Sequence, residues 1–137
     1  MTARSSLHLA GRLEIVAQAT GWVAQQARAA GASEDSSLAL QLAVEEAVTN
    51  VVMHAYPAGR PPSLDLTFAD DGGEIVIEVV DEGLAFDPLA QPPPAPPESI
   101  ETVRIGGLGI PLMRQSVKTV AYERRDGQNR LTLRRPK

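Results

Sequence analysis

The stretch that decides the fold reads EEAVTN and runs from Glu45 to Asn50. It lies within a segment that predicts a helix from Ser33 to about Ala55, because Ser33 can cap the N-terminus, acidic residues follow it, and Pro57 stands just past the end. At about 100° per residue, five apolar residues of this segment share one broad face: Val44, Ala47, Val48, Val51 and Ala55. That face is therefore expected to pack against the core.

Glu46 and Asn50 lie on the opposite side of this predicted helix. Four apolar residues surround them there: Ala39, Leu42, Ala43 and Met53. The spacing i, i+4 places the two polar side chains one turn apart, so they can converge on one small object such as a hydrated metal ion. The pattern is equally compatible with a helix surface that carries an isolated acid and amide. His54 continues the line, and a histidine at a helix end is more often a cap or packing residue than a ligand.

A second pattern lies directly after a predicted strand, at Asp81 and Gly83. A carboxylate at a strand end can accept a hydrogen bond from an exocyclic amine, and a glycine nearby lets a flat ligand approach the backbone. The two residues therefore suggest a corner that recognises a base. Asp and Gly at strand ends are also common turn formers, which is the simpler interpretation of this pattern alone.

The third pattern is a glycine-rich turn that opens a short helix predicted to end near Val117. Its residues are Gly106, Gly107, Leu108 and Gly109. Exposed amides and the positive end of the helix dipole suit phosphate oxygens. The turn has neither the Walker nor the Rossmann spacing, so it is weak evidence when taken alone.

The rest of the chain predicts a mixed order of helices and strands. The expected elements are an edge strand around Leu7–Leu9, a helix Arg12–Ala30, a hairpin of Ser63–Phe68 and Glu74–Val80, and a final hairpin of Thr119–Arg124 and Arg130–Arg134. Prolines are dense between Asp87 and Arg104, so this stretch is predicted to be a long loop or lid rather than a helix or central strand.

Composition limits the class of protein. The chain has 137 residues, of which 43% are hydrophobic and 22% charged, as expected for one globular domain over residues 1–137 with a lid at about 87–106. It has no cysteine, which excludes disulfides and thiolate metal sites, and no secretory leader is apparent, so a cytoplasmic location is expected. The net charge of −4 argues against nucleic acid as the main partner, and no apolar run suits a membrane span.

The three patterns, in their order and separation, resemble the Bergerat-type, histidine-kinase-like ATPases over nearly the whole chain. Residues 45–50 are similar to the N box of that superfamily, residues 81–88 to its first glycine box and residues 106–110 to its second, while residues 129–133 resemble the strand that ends the fold. Three features together make the chain most similar to bacterial anti-sigma-factor serine/threonine kinases: its short length, the sequence EAVTN at residues 46–50 with His54 and Tyr56 after it, and the terminal hairpin. The proline cluster at residues 92–97 departs from the family pattern and suggests a stiffer or partly disordered lid, which leaves nucleotide retention open.

The resemblance implies an α/β (α+β) two-layer sandwich, in which about three helices cover one face of a mixed, mostly antiparallel sheet. It implies that ATP and Mg²⁺ are the cofactors, that Glu46 is the general base and that Asn50 holds the Mg²⁺. Asp81 would bind the adenine amine with Gly83 close by, and Thr132 would support the contact through water. The second glycine box, Gly106 to Gly109, would cradle the phosphates, and Arg104 is a weaker candidate for the γ-phosphate.

The same resemblance implies a kinase that phosphorylates a small anti-sigma-factor antagonist on serine or threonine and binds a sigma factor. A homodimer through the first strand and helix is expected. Two alternatives stay open. One is a module that binds ATP and a partner protein without phosphotransfer, and the other is the catalytic part of a histidine-kinase-like system, which would need a dimerisation helix pair carrying a phosphorylatable histidine.

Overall fold

The computed structural model describes residues 3–90 and 116–137. Its elements are strand β1 (Ala3–Ala10), helix α1 (Leu13–Ala29), helix α2 (Glu34–Asn50), a π-helical turn (Val51–Ala55), strands β2 (Ser63–Asp71) and β3 (Glu74–Asp81), a 3-10 turn (Pro88–Ala90), and strands β4 (Thr119–Arg125) and β5 (Gln128–Pro136). Within these residues, no helix is long and apolar enough to cross a bilayer.

The five strands form one sheet in the order β1-β2-β3-β5-β4, and every neighbouring pair is antiparallel. The mixed sheet that was expected is therefore fully antiparallel over the described residues. Helix α1 contacts β1 and β2, α2 contacts β5, and the two helices pack along each other. The predicted two-layer α+β class is confirmed, with β1 as the predicted edge strand.

Both predicted hairpins are present, and their strands run a few residues longer than expected, up to tight turns. Gly72 has a φ of 77°, and in the second hairpin Asp126 and Gly127 have φ values of 52° and 77°. Two successive residues with positive φ are typical of a type I′ turn, whose twist matches that of the flanking strands. The turn residues therefore set the register of each hairpin.

Alternation along the strands separates the core from the outer face of the sheet. Ile75, Ile77 and Val79 of β3 are buried on the helix side, as are Leu131 and Leu133 of β5. The register pairs Val79 with Leu131 and, two residues further, Asp81 with Asn129. Because side chains alternate with period two, this last pair also points to the helix side. The side chains of Asp81 and Asn129 therefore lie together at the end of the hydrophobic core between the sheet and the helices.

Helix α2 begins as predicted, because Ser33 Oγ accepts a hydrogen bond of 3.1 Å from the backbone N–H of Ser36. One feature of the expected apolar surface around Glu46 is wrong. Ala43 is fully buried in the core, because α2 packs against both the sheet and α1, whereas Met53 is 68% exposed. Glu46 therefore lies at the edge of the hydrophobic core, and not within a separate apolar surface on the other side of α2.

Candidate functional site

Asp81 ends β3 as a buried carboxylate, with 3% of its surface exposed. Its Oδ1 accepts hydrogen bonds from Gly83 N (2.8 Å) and from Asn129 Nδ2 (2.9 Å). Burial raises the pKa of Asp81, and these hydrogen bonds, followed by the charges of Arg124 and Arg60, oppose that rise. Within the described residues both bonds go to Oδ1, which leaves Oδ2 to accept a hydrogen bond from a ligand.

Gly83 is required by the contact between this corner and the π-helical turn after α2. A Cβ atom at Gly83 would lie 2.4 Å from the backbone oxygen of Ala55, well inside contact distance. The same Ala55 oxygen accepts a hydrogen bond of 2.7 Å from Leu84 N. The sequence had suggested that this glycine admits a ligand, but the structure gives a different reason for it, namely the close approach of two backbone segments.

Asn129 of β5 is a buried residue of the site that sequence reasoning missed. Its Nδ2 donates to Asp81 Oδ1 and to Leu84 O (2.8 Å), and its Oδ1 accepts from Phe86 N (3.2 Å) and from the Tyr122 hydroxyl (2.5 Å). Both donors and both lone pairs of the amide are thus used. The sequence pattern that could have indicated it is alternation: Asn129 shares one face of β5 with Leu131 and Leu133, which point into the core. Asn129 fixes the loop after β3 to β5.

The predicted role of Thr132 is wrong on geometric grounds. Thr132 pairs with Glu78 and Ala121 in the sheet and lines a polar groove on the outer face together with Glu78 and Arg130. Asp81 points to the helix side, so the sheet itself separates the two side chains. The position in β5 that reaches Asp81 is Asn129, three residues earlier.

A narrow cleft lies between α2, the loop after β3 and the end of the sheet. Its walls are mainly apolar, with a few polar groups. The lining residues are Ala47, Asn50, Val51, Ala55, Val79, Asp81, Phe86, Pro88, Tyr122, Asn129 and Leu131. Apolar walls around a buried acceptor suit a flat heterocycle that carries an amine.

Asn50 lines the same cleft from the last residue of α2. Its Nδ2 is buried and has no hydrogen-bond partner among the described residues. Such an amide costs about 1–3 kcal/mol unless it is satisfied, and half a turn of the carboxamide exchanges Nδ2 for Oδ1. An amide oxygen is a ligand that suits Mg²⁺. No cluster of three or more metal-ligating side chains occurs in residues 3–90 and 116–137.

Glu46 lies one helical turn before Asn50 and is partly buried. Burial raises the pKa of its carboxyl, and the negative charge of neighbouring Glu45 raises it further. Glu46 does not line the cleft that the described residues form. A carboxylate with a raised pKa is a stronger base than a fully hydrated one.

His54 has a packing role. Its ring stacks on Phe86, with centroids 4.7 Å apart and an interplanar angle of 14°. Phe86 lines the cleft, so the stack fixes one of the walls to the π-helical turn.

Arg124 of β4 also stabilises the site, by donating a hydrogen bond of 2.8 Å to Gly83 O. Arg124 was not predicted, because a basic residue near a strand end has no distinctive sequence pattern.

The predicted phosphate turn lies outside the described residues. This applies to Gly106, Gly107, Leu108 and Gly109, and equally to Arg104, to the proline cluster at 92–97 and to most of the predicted lid.

Comparison with known proteins agrees with this geometry. The family model described as a histidine kinase-like ATPase domain matches residues 9–135. The chain belongs to this family of histidine kinase-like ATPases. The match covers α1, α2 and all five strands at least in part, so the predicted family is confirmed and the cleft lies inside the matched domain.

Several curated relatives are protein kinases by name. The chain is 37% identical over 94 residues to the serine/threonine-protein kinase BtrW of Bordetella bronchiseptica, a match that covers 69% of this chain and 66% of that protein. It is 35% identical over 103 residues to the serine-protein kinase RsbW of Staphylococcus epidermidis (72% and 65%) and 30% identical over 92 residues to RsbW of Bacillus subtilis (64% and 58%). The chain thus spans between 58% and 66% of the length of these relatives.

Proposed function

We propose that this protein is an ATP- and Mg²⁺-dependent serine/threonine protein kinase that acts as an anti-sigma regulatory factor. The observation that carries the proposal is the cleft itself, which is lined both by the buried carboxylate of Asp81 and by Asn50, whose Nδ2 has no hydrogen-bond partner among the described residues. Membership of an ATPase family and relatives named as serine-protein kinases support it.

In the proposed mechanism each residue of the chain has a limited task. Asp81 accepts a hydrogen bond from the exocyclic amine of adenine, and the apolar walls exclude water from the base. Asn50 offers its amide oxygen to Mg²⁺. When bound, ATP and Mg²⁺ supply the phosphoryl group and neutralise its charge, so the protein contributes mainly positioning. Glu46 accepts the proton of the serine or threonine hydroxyl of the partner protein, a task for which its raised pKa suits it.

The partner and the assembly are part of the same proposal. A small anti-sigma-factor antagonist would supply the hydroxyl, and a sigma factor would be the second protein partner. A homodimer through β1 and α1 and a cytoplasmic location stay predictions.

The test is phosphotransfer from labelled ATP to the candidate antagonist, with Glu46→Gln beside the wild type. Glutamine keeps the shape of the side chain but cannot take a proton, so phosphotransfer should fall about 100-fold or more while ADP binding is retained. Glu45→Gln, an exposed neighbour on the same helix, is the matched control and should retain activity at neutral pH, above the acidic limb of the pH–rate profile. Full phosphotransfer by Glu46→Gln would contradict the assigned base.

The position of Glu46 outside the described cleft favours a second candidate, a module whose bound ATP only shapes a surface for a partner protein. In that case Glu46→Gln would leave partner binding intact, and neither the wild type nor the variant would transfer phosphate. Partner capture and phosphotransfer, measured on the same preparations, distinguish the two functions.

A further inference from the structure

Tyr56 occupies a buried position between three segments of the chain. It follows the π-helical turn, and 5% of its surface is exposed. Its hydroxyl donates a hydrogen bond of 2.9 Å to Ser63 O at the start of β2 and accepts one of 3.1 Å from Glu82 N. One hydroxyl therefore joins the end of the α2 segment, the first residue of β2 and the residue that directly follows Asp81.

Arg60 completes this arrangement from the loop before β2. Its guanidinium lies over the Tyr56 ring, 5.1 Å from the ring centroid, and its Nη2 donates a hydrogen bond of 2.8 Å to Glu82 O. Both backbone polar groups of Glu82 are thus held by side chains, the N–H by Tyr56 and the C=O by Arg60. Neither side chain lines the cleft.

We propose that Tyr56 and Arg60 are positioning residues, which clamp the Glu82 peptide and thereby aim the Asp81 carboxylate into the cleft. The inference rests on the proposed nucleotide site. Its physical reason is that Asp81 and Glu82 share a peptide bond, so a rotation of the Glu82 segment also moves the Asp81 main chain and the N–H of Gly83, which binds Asp81 Oδ1. Glu82 itself is exposed, and its side chain is not part of the argument.

The consequence of losing the clamp is a smaller population of the binding-competent corner. Apparent affinity falls in proportion to that population, so a drop to about one tenth raises the dissociation constant about tenfold. A contact that only contributes to global stability behaves differently, because it lowers the unfolding midpoint without changing the affinity of molecules that are folded. Affinity and unfolding midpoint, measured together, therefore separate positioning from stability.

The experiment is calorimetric titration of the full chain with ADP and Mg²⁺, at a temperature at which all variants are folded. Tyr56→Phe keeps the ring but leaves Glu82 N and Ser63 O without their partner, and we expect its dissociation constant to rise about tenfold. Arg60→Met keeps the apolar stem and should raise it about threefold, because the guanidinium is in contact with solvent. Arg60→Lys should recover part of this loss through a single hydrogen bond.

The double variant tests whether the two residues act as one unit. Residues that hold the same peptide should be non-additive, so we expect a rise of about tenfold for Tyr56→Phe/Arg60→Met rather than the product of about thirtyfold. The product itself would contradict the clamp. Arg60→Met changes an exposed side chain and so keeps the test valid if Tyr56→Phe fails to fold.

Val23→Ala is the control for stability, because Val23 is fully buried in α1, on a different element from the corner. It should lower the unfolding midpoint and leave the affinity unchanged. The proposal is overturned if Tyr56→Phe and Arg60→Met bind ADP as tightly as this control. Absence of binding by the wild type is a different result, which removes the proposed function and with it the clamp.

Discussion

Replacing Asp81 by asparagine exchanges one oxygen for an amide nitrogen at the buried end of the cleft. The remaining oxygen can still accept from Gly83 N and Asn129 Nδ2, so the corner should keep its shape. The new Nδ2 amide takes the place of Oδ2. Its N–H groups would face the N–H groups of the exocyclic amine, and two donors cannot form a hydrogen bond with each other. A hydrogen bond to a charged group contributes about 1.5–3 kcal/mol, and the unmatched donors add a desolvation cost, so affinity for ADP should fall by about 100-fold or more.

Calorimetric titration with ADP and Mg²⁺ measures this loss, and thermal unfolding shows that it does not come from misfolding. Because burial raises the pKa of Asp81, the stability associated with its protonated form is present below the ordinary pKa of aspartate and is lost as pH rises through the raised value. Asparagine does not ionise, so at neutral pH the variant should be as stable as the wild type or more stable. Binding of ADP by Asp81→Asn within about threefold of the wild type would refute the assignment of the base-recognition group.

Four further changes test other parts of the site. Glu46→Gln should reduce phosphotransfer about 100-fold or more but not ADP binding, as labelled ATP and calorimetry would show. Glu45→Gln removes the like charge that helps to raise the pKa of Glu46, so the acidic limb of the pH–rate profile should move to lower pH, and an unmoved limb would contradict Glu46 as the base. Asn50→Ala should abolish the dependence of nucleotide affinity on Mg²⁺, measured by titration with and without the metal. Gly83→Ala should cost about 1–3 kcal/mol in urea unfolding and impair ADP binding, because its Cβ would overlap the Ala55 oxygen; wild-type stability would show that the two segments can separate freely.

Most of the secondary structure follows from local patterns. The Ser33 cap, the prolines after α2, and the turns at Gly72 and at Asp126-Gly127 act over a few residues, so their effects could be predicted from the sequence. The strand ends were underestimated, because ladder hydrogen bonds extend a hairpin to its turn whatever the propensity of the last residues. The π-helical turn was not predicted for a different reason: it depends on how residues 51–55 pack against the corner at Gly83.

The candidate site was predictable only where a residue type is unusual for its position. An acid and an amide among apolar residues on the side of a helix opposite its core face, and an aspartate directly after a buried strand, indicated Glu46, Asn50 and Asp81 as candidates. Thr132 was assigned by resemblance and lies on the wrong face, because a shift by an odd number of strand residues reverses the side to which a side chain points. Asn129 is separated from Asp81 by 48 positions in the chain and meets it only through the pairing of β3 with β5.

The sequence by itself therefore determined the class of fold, the family, and the helix and strand that carry the polar residues, since these depend on periodicity, capping and short motifs. Only the tertiary structure decided which side chains meet: the saturated amide of Asn129 on Asp81, the contact of Gly83 with Ala55, and the hold of Tyr56 and Arg60 on Glu82. The physical reason is that hydrogen bonds and close contacts of this kind join segments remote in sequence. Strand register and helix packing bring them to within a few ångströms, and no local pattern encodes that distance.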